Sequence, residues 1–63
     1  DETRIKIIRL LQDSERRLED IARTLSVPPS TLSHHLRVLR TAGLIRVDKR
    51  GRSSYYSLAQ PQD

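Results

Sequence analysis

Apolar positions along this chain fall into three groups with helical spacing, followed by one with the spacing of strands. Ile5, Ile8 and Leu11, with Ile7 and Leu10 beside them, recur at helical intervals between polar residues, which predicts a first helix from about Thr3 to Gln12. Asp13, Ser14 and Glu15 break the pattern, and Arg16 to Leu18 read as a short extended segment. Leu18, Ile21, Ala22 and Leu25 then form the apolar stripe of a second helix, from about Glu19 to Leu25. No Ser, Thr or Asn stands where its cap belongs, although Glu19 and Asp20 put negative charge in the first turn, where the helix dipole favours it. Ser26, Val27 and Pro28 form a turn. Because proline is tolerated at the first position of a helix and excluded from its interior, the third helix opens near Pro29, and Gly43 is the residue suited to stop it.

Advancing about 100 degrees per residue from Leu32 divides this third helix into two faces. Leu36, Leu39 and His35 fall within about 60 degrees of Leu32 and form the predicted buried stripe, while Ser30, Ser33, His34, Arg37 and Thr41 lie on the far side. The far face carries small hydroxyls, an imidazole and a guanidinium, and no large apolar side chain. Such side chains bond base edges and phosphates without holding a helix away from the major groove. Leu44 to Val47 and Ser53 to Leu58 follow as strands, rich in β-branched and aromatic residues, around a glycine-containing turn from Asp48 to Arg52. The predicted fold is mostly α with a small β-hairpin: a winged helix-turn-helix of three helices plus a two-stranded wing.

Charge adds to this picture through its distribution. Residues 1–36 hold six bases and six acids, whereas residues 37–63 hold six bases and two acids, so the whole formal excess of +4 lies in the later part. Lys49, Arg50 and Arg52 crowd the predicted wing tip, where mutual repulsion favours a polyanionic partner. Sixty-three residues make one small domain, assigned to residues 1–58, with 59–63 as a frayed tail or linker. The chain begins at Asp1 rather than Met, which suggests a domain excised from a longer protein. Cysteine is absent, which excludes disulfides and thiolate metal sites. No apolar run reaches membrane-spanning length and no signal peptide is evident, so a cytoplasmic protein without membrane contact is expected.

The sequence resembles the ArsR/SmtB group of winged helix-turn-helix repressors. The resemblance covers roughly residues 5–58. It is carried by Leu25 and Val27 before the turn, the run from Ser30 to Leu36, Leu39, the Ala42-Gly43-Leu44-Ile45 exit, and Arg50-Gly51-Arg52 with Tyr56 and Leu58 in the hairpin. In that family the positions matching Pro29, Ser30, Ser33 and His34 typically face DNA, the face that the angle count selects independently. A glutamine is common at the position of Pro29, so one base-reading amide is missing here. Members that sense soft metals often carry Cys-x-Cys before the recognition helix, where this chain has Arg17 and Glu19. Others bind metal on a C-terminal dimerisation helix, and this chain ends at Asp63, before one could form. The resemblance implies two copies on a palindromic operator.

The expected function is therefore sequence-specific binding of double-stranded DNA by a transcriptional regulator of repressor type. Pro29, Ser30, Thr31, Ser33, His34 and Arg37 form the recognition-helix site, and Lys49, Arg50 and Arg52 the wing site, flanking the backbone or minor groove. No cofactor or metal is expected, because His34 and His35 point about 100 degrees apart and lack a third ligand. Ser30 and His34 share a face, yet no acid orients the imidazole and no oxyanion site accompanies them, so the chain is read as non-enzymatic. His35 is expected to pack half-buried with a ring nitrogen bonded to a backbone carbonyl. The alternative is a winged-helix module for protein contacts that does not bind DNA. It predicts an apolar anchor on the third helix, where Val38 on the flank is the only candidate and could instead contact the first helix.

Overall fold

The computed structural model describes residues 2–59. Its elements are α1 (Glu2–Asp13), β1 (Arg16–Arg17), α2 (Leu18–Leu25), α3 (Pro29–Thr41), β2 (Ile45–Arg50) and β3 (Ser53–Leu58). The three helices and the hairpin stand as predicted, and the short extended segment becomes a third strand. β1 pairs antiparallel with β3 through Arg16 opposite Tyr56 and Arg17 opposite Tyr55, giving the sheet order β1-β3-β2.

The core forms where the helical stripes meet the inner face of the sheet. Ile7 and Leu11 of α1, Ile21 and Ala22 of α2, Leu32, Leu36 and Leu39 of α3, and Ile45 and Tyr56 of the sheet are all buried. One expectation for α1 changes. Ile5 is 54% exposed, because the inward face is set by Ile7 and Leu11, and Ile5 lies about 160 degrees around the helix from Ile7.

Two helix ends use the same device. At the end of α3, Gly43 adopts φ +79°, its N–H donates to the Arg40 carbonyl, and the Leu44 N–H donates to the Leu39 carbonyl, both at 3.0 Å. That double bond is a Schellman motif, and it satisfies carbonyls the helix leaves open. At the end of α2 the same pair recurs, from Ser26 to Arg23 and from Val27 to Ala22, but the left-handed residue is Ser26 at φ 55°. A Cβ in that conformation is strained, so the sharp turn into α3 carries a cost that Gly43 avoids.

The start of α2 is held without a hydroxyl cap. Asp20, in the third helical position, accepts from Arg17 Nε at 3.0 Å and from Arg17 Nη2 at 3.3 Å, and the Arg17 backbone also favours its ionised form. This is half of a capping box, with the acid reaching back over the first turn. The Arg17 bond, reinforced by the charges of Arg17 and Arg23, holds the Asp20 carboxyl below its ordinary range.

The hairpin is longer and its turn tighter than the sequence suggested. Arg50 pairs with Ser53, so Asp48, Lys49 and Arg50 belong to β2 and only Gly51 and Arg52 form the loop. Gly51 at φ +60°, followed by Arg52 at negative φ, fits a type II′ turn, whose twist matches that of the strands. Ala59, the first residue of the expected tail, donates its N–H to the Leu44 carbonyl at 3.0 Å. The remainder of the expected tail, residues 60–63, lies outside the described residues.

The matched helix ends predict opposite outcomes. Gly43→Ala meets no atom within 4 Å, so its cost is conformational, about 1 kcal/mol. Ser26→Gly relieves the same strain and stabilises by about 0.5 kcal/mol after the entropy cost of glycine. Urea unfolding checks both signs. For Asp20 a depressed folded pKa means that its contribution is complete above the unfolded carboxylate value of about 3.9 and is lost as pH falls through the lower folded value. Asp20→Asn is therefore less stable than the parent at neutral pH, and the gap between their urea midpoints closes below about pH 4.

Candidate nucleic-acid interface

With Leu32, Leu36 and Leu39 turned into the core, the opposite face of α3 is open. Pro29, Ser30, Thr31, Ser33, His34 and Arg37 are all exposed, so every recognition-helix residue selected from sequence lies at the surface. Like α2, the helix has no side-chain cap at its start, but unlike α2 it has no acid in its first turn. Its positive dipole end is thus uncompensated by a side chain, a setting that favours an anion.

A polar cleft of about 360 Å³ lies between α3 and the sheet, lined by Ser33, Leu36, Arg37, Arg40, Thr41 and Tyr56. Arg37 and Arg40 converge on it, and neither is paired with an acid among the described residues. Arg40, one of the bases behind the charge excess of the later part, was not among the site residues selected from sequence, although the same angle count puts it within about 20 degrees of Ser33.

The wing cations do not form one cluster. Strand alternation places Lys49 in the row of Ile45 and Val47, on the side of the core, while Arg50 lies on the opposite face with Asp48 and Tyr55. Arg52 sits in the turn. Lys49 and Arg52 have no acidic partner among the described residues, whereas Arg50 donates to Asp48 at 2.9 Å and to both Glu15 oxygens at 3.0 and 2.8 Å. Those bonds, that to Asp48 first, raise the Arg50 pKa above its ordinary value. The expectation of a tip of three mutually repelling cations is therefore corrected: Arg50 is already neutralised from within the domain.

The histidines differ. His34 is exposed beside Ser30 and Arg37, and its ring meets that of His35 edge-on at 6.0 Å between centroids. His35 is half-buried, as expected, but its Nδ1 is buried without the hydrogen-bond partner that was expected. No group of three His, Cys, Asp or Glu side chains comes together among the described residues. Arg17 and Glu19, at the positions where soft-metal sensors carry cysteine, form an ion pair at 3.9 Å, and Arg17 also binds Asp20.

Apolar exposure lies elsewhere. Ile5 and Leu44 are about half exposed, and with Ile8, Val38, Leu39 and Ala42 they line a second groove of about 520 Å³ between α1 and the end of α3. Val38 faces this groove rather than the polar face, in line with a contact to α1. Among the described residues no helix is long and apolar enough to cross a membrane.

Comparison with known proteins settles the family. The model for the bacterial regulatory proteins of the arsR family matches residues 1–47. The chain belongs to the arsR family. A cadmium resistance transcriptional regulatory protein CadC homolog from Staphylococcus aureus is 39% identical over 92% of this chain and 49% of its own length. The transcriptional repressor SdpR of Bacillus subtilis is 38% identical over 92% of this chain and 64% of its own. Among solved structures, HlyU from Vibrio cholerae has a TM-score of 0.92 at 32% identity, covering 95% of this chain and 65% of that one. The homodimeric winged helix-turn-helix DNA-binding domain Mb0332 from Mycobacterium bovis also has a TM-score of 0.92 at 32% identity, covering 95% of this chain and 56% of that one. The fold is thus the winged helix-turn-helix, and this arsR-family chain spans about half the length of its CadC and SmtB-type relatives.

Proposed function

We propose that this chain, residues 1–58 forming the domain, is a sequence-specific reader of double-stranded DNA that represses transcription by occupying an operator as a homodimer. The observation that carries the reading is the α3 surface: a helix with its apolar stripe buried presents hydroxyls, an imidazole and two acid-free guanidiniums beside a basic hairpin. Helix α3 enters the major groove, with Ser30, Ser33 and His34 at base edges, Pro29 allowing close approach at the helix start, and Thr31 and Arg37 on phosphates. Arg40, beside Arg37 in the polar cleft, takes a second backbone phosphate. Lys49 and Arg52 flank the backbone or minor groove.

Membership of a family of transcription regulators and likeness to a homodimeric DNA-binding domain support this reading, as does the absence of an apolar anchor from the polar face of α3. Neither tyrosine offers a free ring for stacking unpaired bases, since Tyr56 is buried and Tyr55 lies under Arg50, which disfavours RNA. The role is non-enzymatic, needs no cofactor for DNA contact, and belongs in the cytoplasm, where the operator is.

Selection from random duplexes at low salt tests the reading. Enrichment of an inverted repeat is the expected result, and failure to retain any duplex would overturn it in favour of a protein-docking module. On the selected site, Ser33→Ala with His34→Ala relaxes sequence preference, whereas Arg37→Gln and Arg40→Gln weaken binding to all sequences and each flatten the log–log salt slope by about 0.9. Fluorescence anisotropy titrations between low and moderate salt read both effects.

A further inference from the structure

Of the three wing cations assigned to DNA from sequence, Arg50 is engaged by acids within the domain. Arg50 makes a two-pronged bond to Glu15, a residue 35 positions earlier in the segment between α1 and β1, at 2.8 and 3.0 Å. Its Nε binds Asp48 at 2.9 Å, and its guanidinium lies 4.5 Å from the centre of the Tyr55 ring. Guanidinium can satisfy a planar fork and a ring face together, and ammonium cannot. An isolated exposed ion pair contributes little, but a two-pronged arginine within a network of several charges is the case in which geometry is held. The bond also joins two ends of the sheet. Glu15 immediately precedes β1, which pairs with β3, while Arg50 ends β2 at the turn.

We infer that Arg50 is a positioning residue rather than a phosphate contact: with Glu15, Asp48 and Tyr55 it latches the wing to the segment before β1 and so fixes where Lys49 and Arg52 stand relative to α3. The inference rests on the DNA-binding reading for its consequence, though the latch itself does not. Alternation supports the assignment, because Lys49 projects toward the α3 side and Arg50 away from it. The latch makes the wing a fixed arm. Without it, the two-residue turn and the ends of β2 and β3 would be held by the ladder alone, and the wing cations would be spread over many orientations when DNA arrives.

The decisive variant is Glu15→Gln, because the two readings give opposite signs. If Arg50 were a phosphate contact, removing Glu15 would release it and raise the net charge, so DNA binding would tighten and the salt slope steepen by about 0.9. As a latch, its loss weakens binding about three- to tenfold, the cost of one or two misplaced phosphate contacts, and does not steepen the slope. Arg50→Ala and the double variant weaken binding to the same extent as Glu15→Gln, since all three break one device. Arg50→Lys behaves like Arg50→Ala, whereas a phosphate contact would survive that change. Hydrogen exchange of the Arg50 and Ser53 amides, measured without DNA, speeds up in Glu15→Gln while thermal unfolding shows the variant folded. Tighter binding in Glu15→Gln, near-parental binding in Arg50→Lys, or unchanged exchange would each overturn the inference. Failure of the parent chain to bind any duplex would remove the DNA reading alone, and the exchange measurement would still decide the latch.

Discussion

The burial of three leucines on one side of α3 is the constraint on which the rest of this domain depends. Leu32, Leu36 and Leu39 are 0%, 1% and 4% exposed, and they belong to one core cluster with buried residues of α1, α2 and the sheet. A domain of this size has a total stability of about 3–9 kcal/mol, and truncating one buried leucine costs about 2–5 kcal/mol. The helix cannot rotate to bury another face without surrendering most of that margin. Its polar face is therefore presented outward by the same contacts that hold the fold together, and the side chains on that face are free of any packing role.

Charge is divided with similar economy. Among the described residues every acid from Asp13 onward is engaged by an arginine: Asp13 by Arg16, Glu15 and Asp48 by Arg50, and Glu19 and Asp20 by Arg17, with Arg23 adding to Asp20. Most of these pairs are exposed and individually weak, the two-pronged bond of Arg50 excepted. Together they leave Arg37, Arg40, Lys49 and Arg52 without competing carboxylates. A polyanion approaching α3 meets positive charge that need not be stripped from internal partners first.

Much of this was legible in the sequence because periodicity and punctuation are local signals. The limits of α1 and α2 lay within about a residue of those read from apolar spacing, Pro29 and Gly43 marked the start and stop of α3, and the angle count separated the leucine stripe from the polar face. What escaped was either too short or too distant. A two-residue strand has no period, so Arg16 and Arg17 gave no hint that they pair with β3. Ser26 carries no signature of a left-handed helix end, a role ordinarily marked by glycine. The bond from Glu15 to Arg50 spans 35 positions, and only the folded sheet brings them together. The count of apolar residues in α1 also misled, because that helix has apolar side chains on two sides and only one side is core.

That second apolar side gives α3 a division of labour along its flanks. Val38 and Ala42 look toward Ile5, Ile8 and Leu44 in an apolar groove, while Ser33, Arg37, Arg40 and Thr41 look toward the sheet in a polar cleft. Arg37 and Val38 are sequence neighbours, yet the helical step of about 100 degrees sends them to different surfaces. One short helix thus carries a hydrophobic surface and a cationic one at once, lined by separate sets of residues.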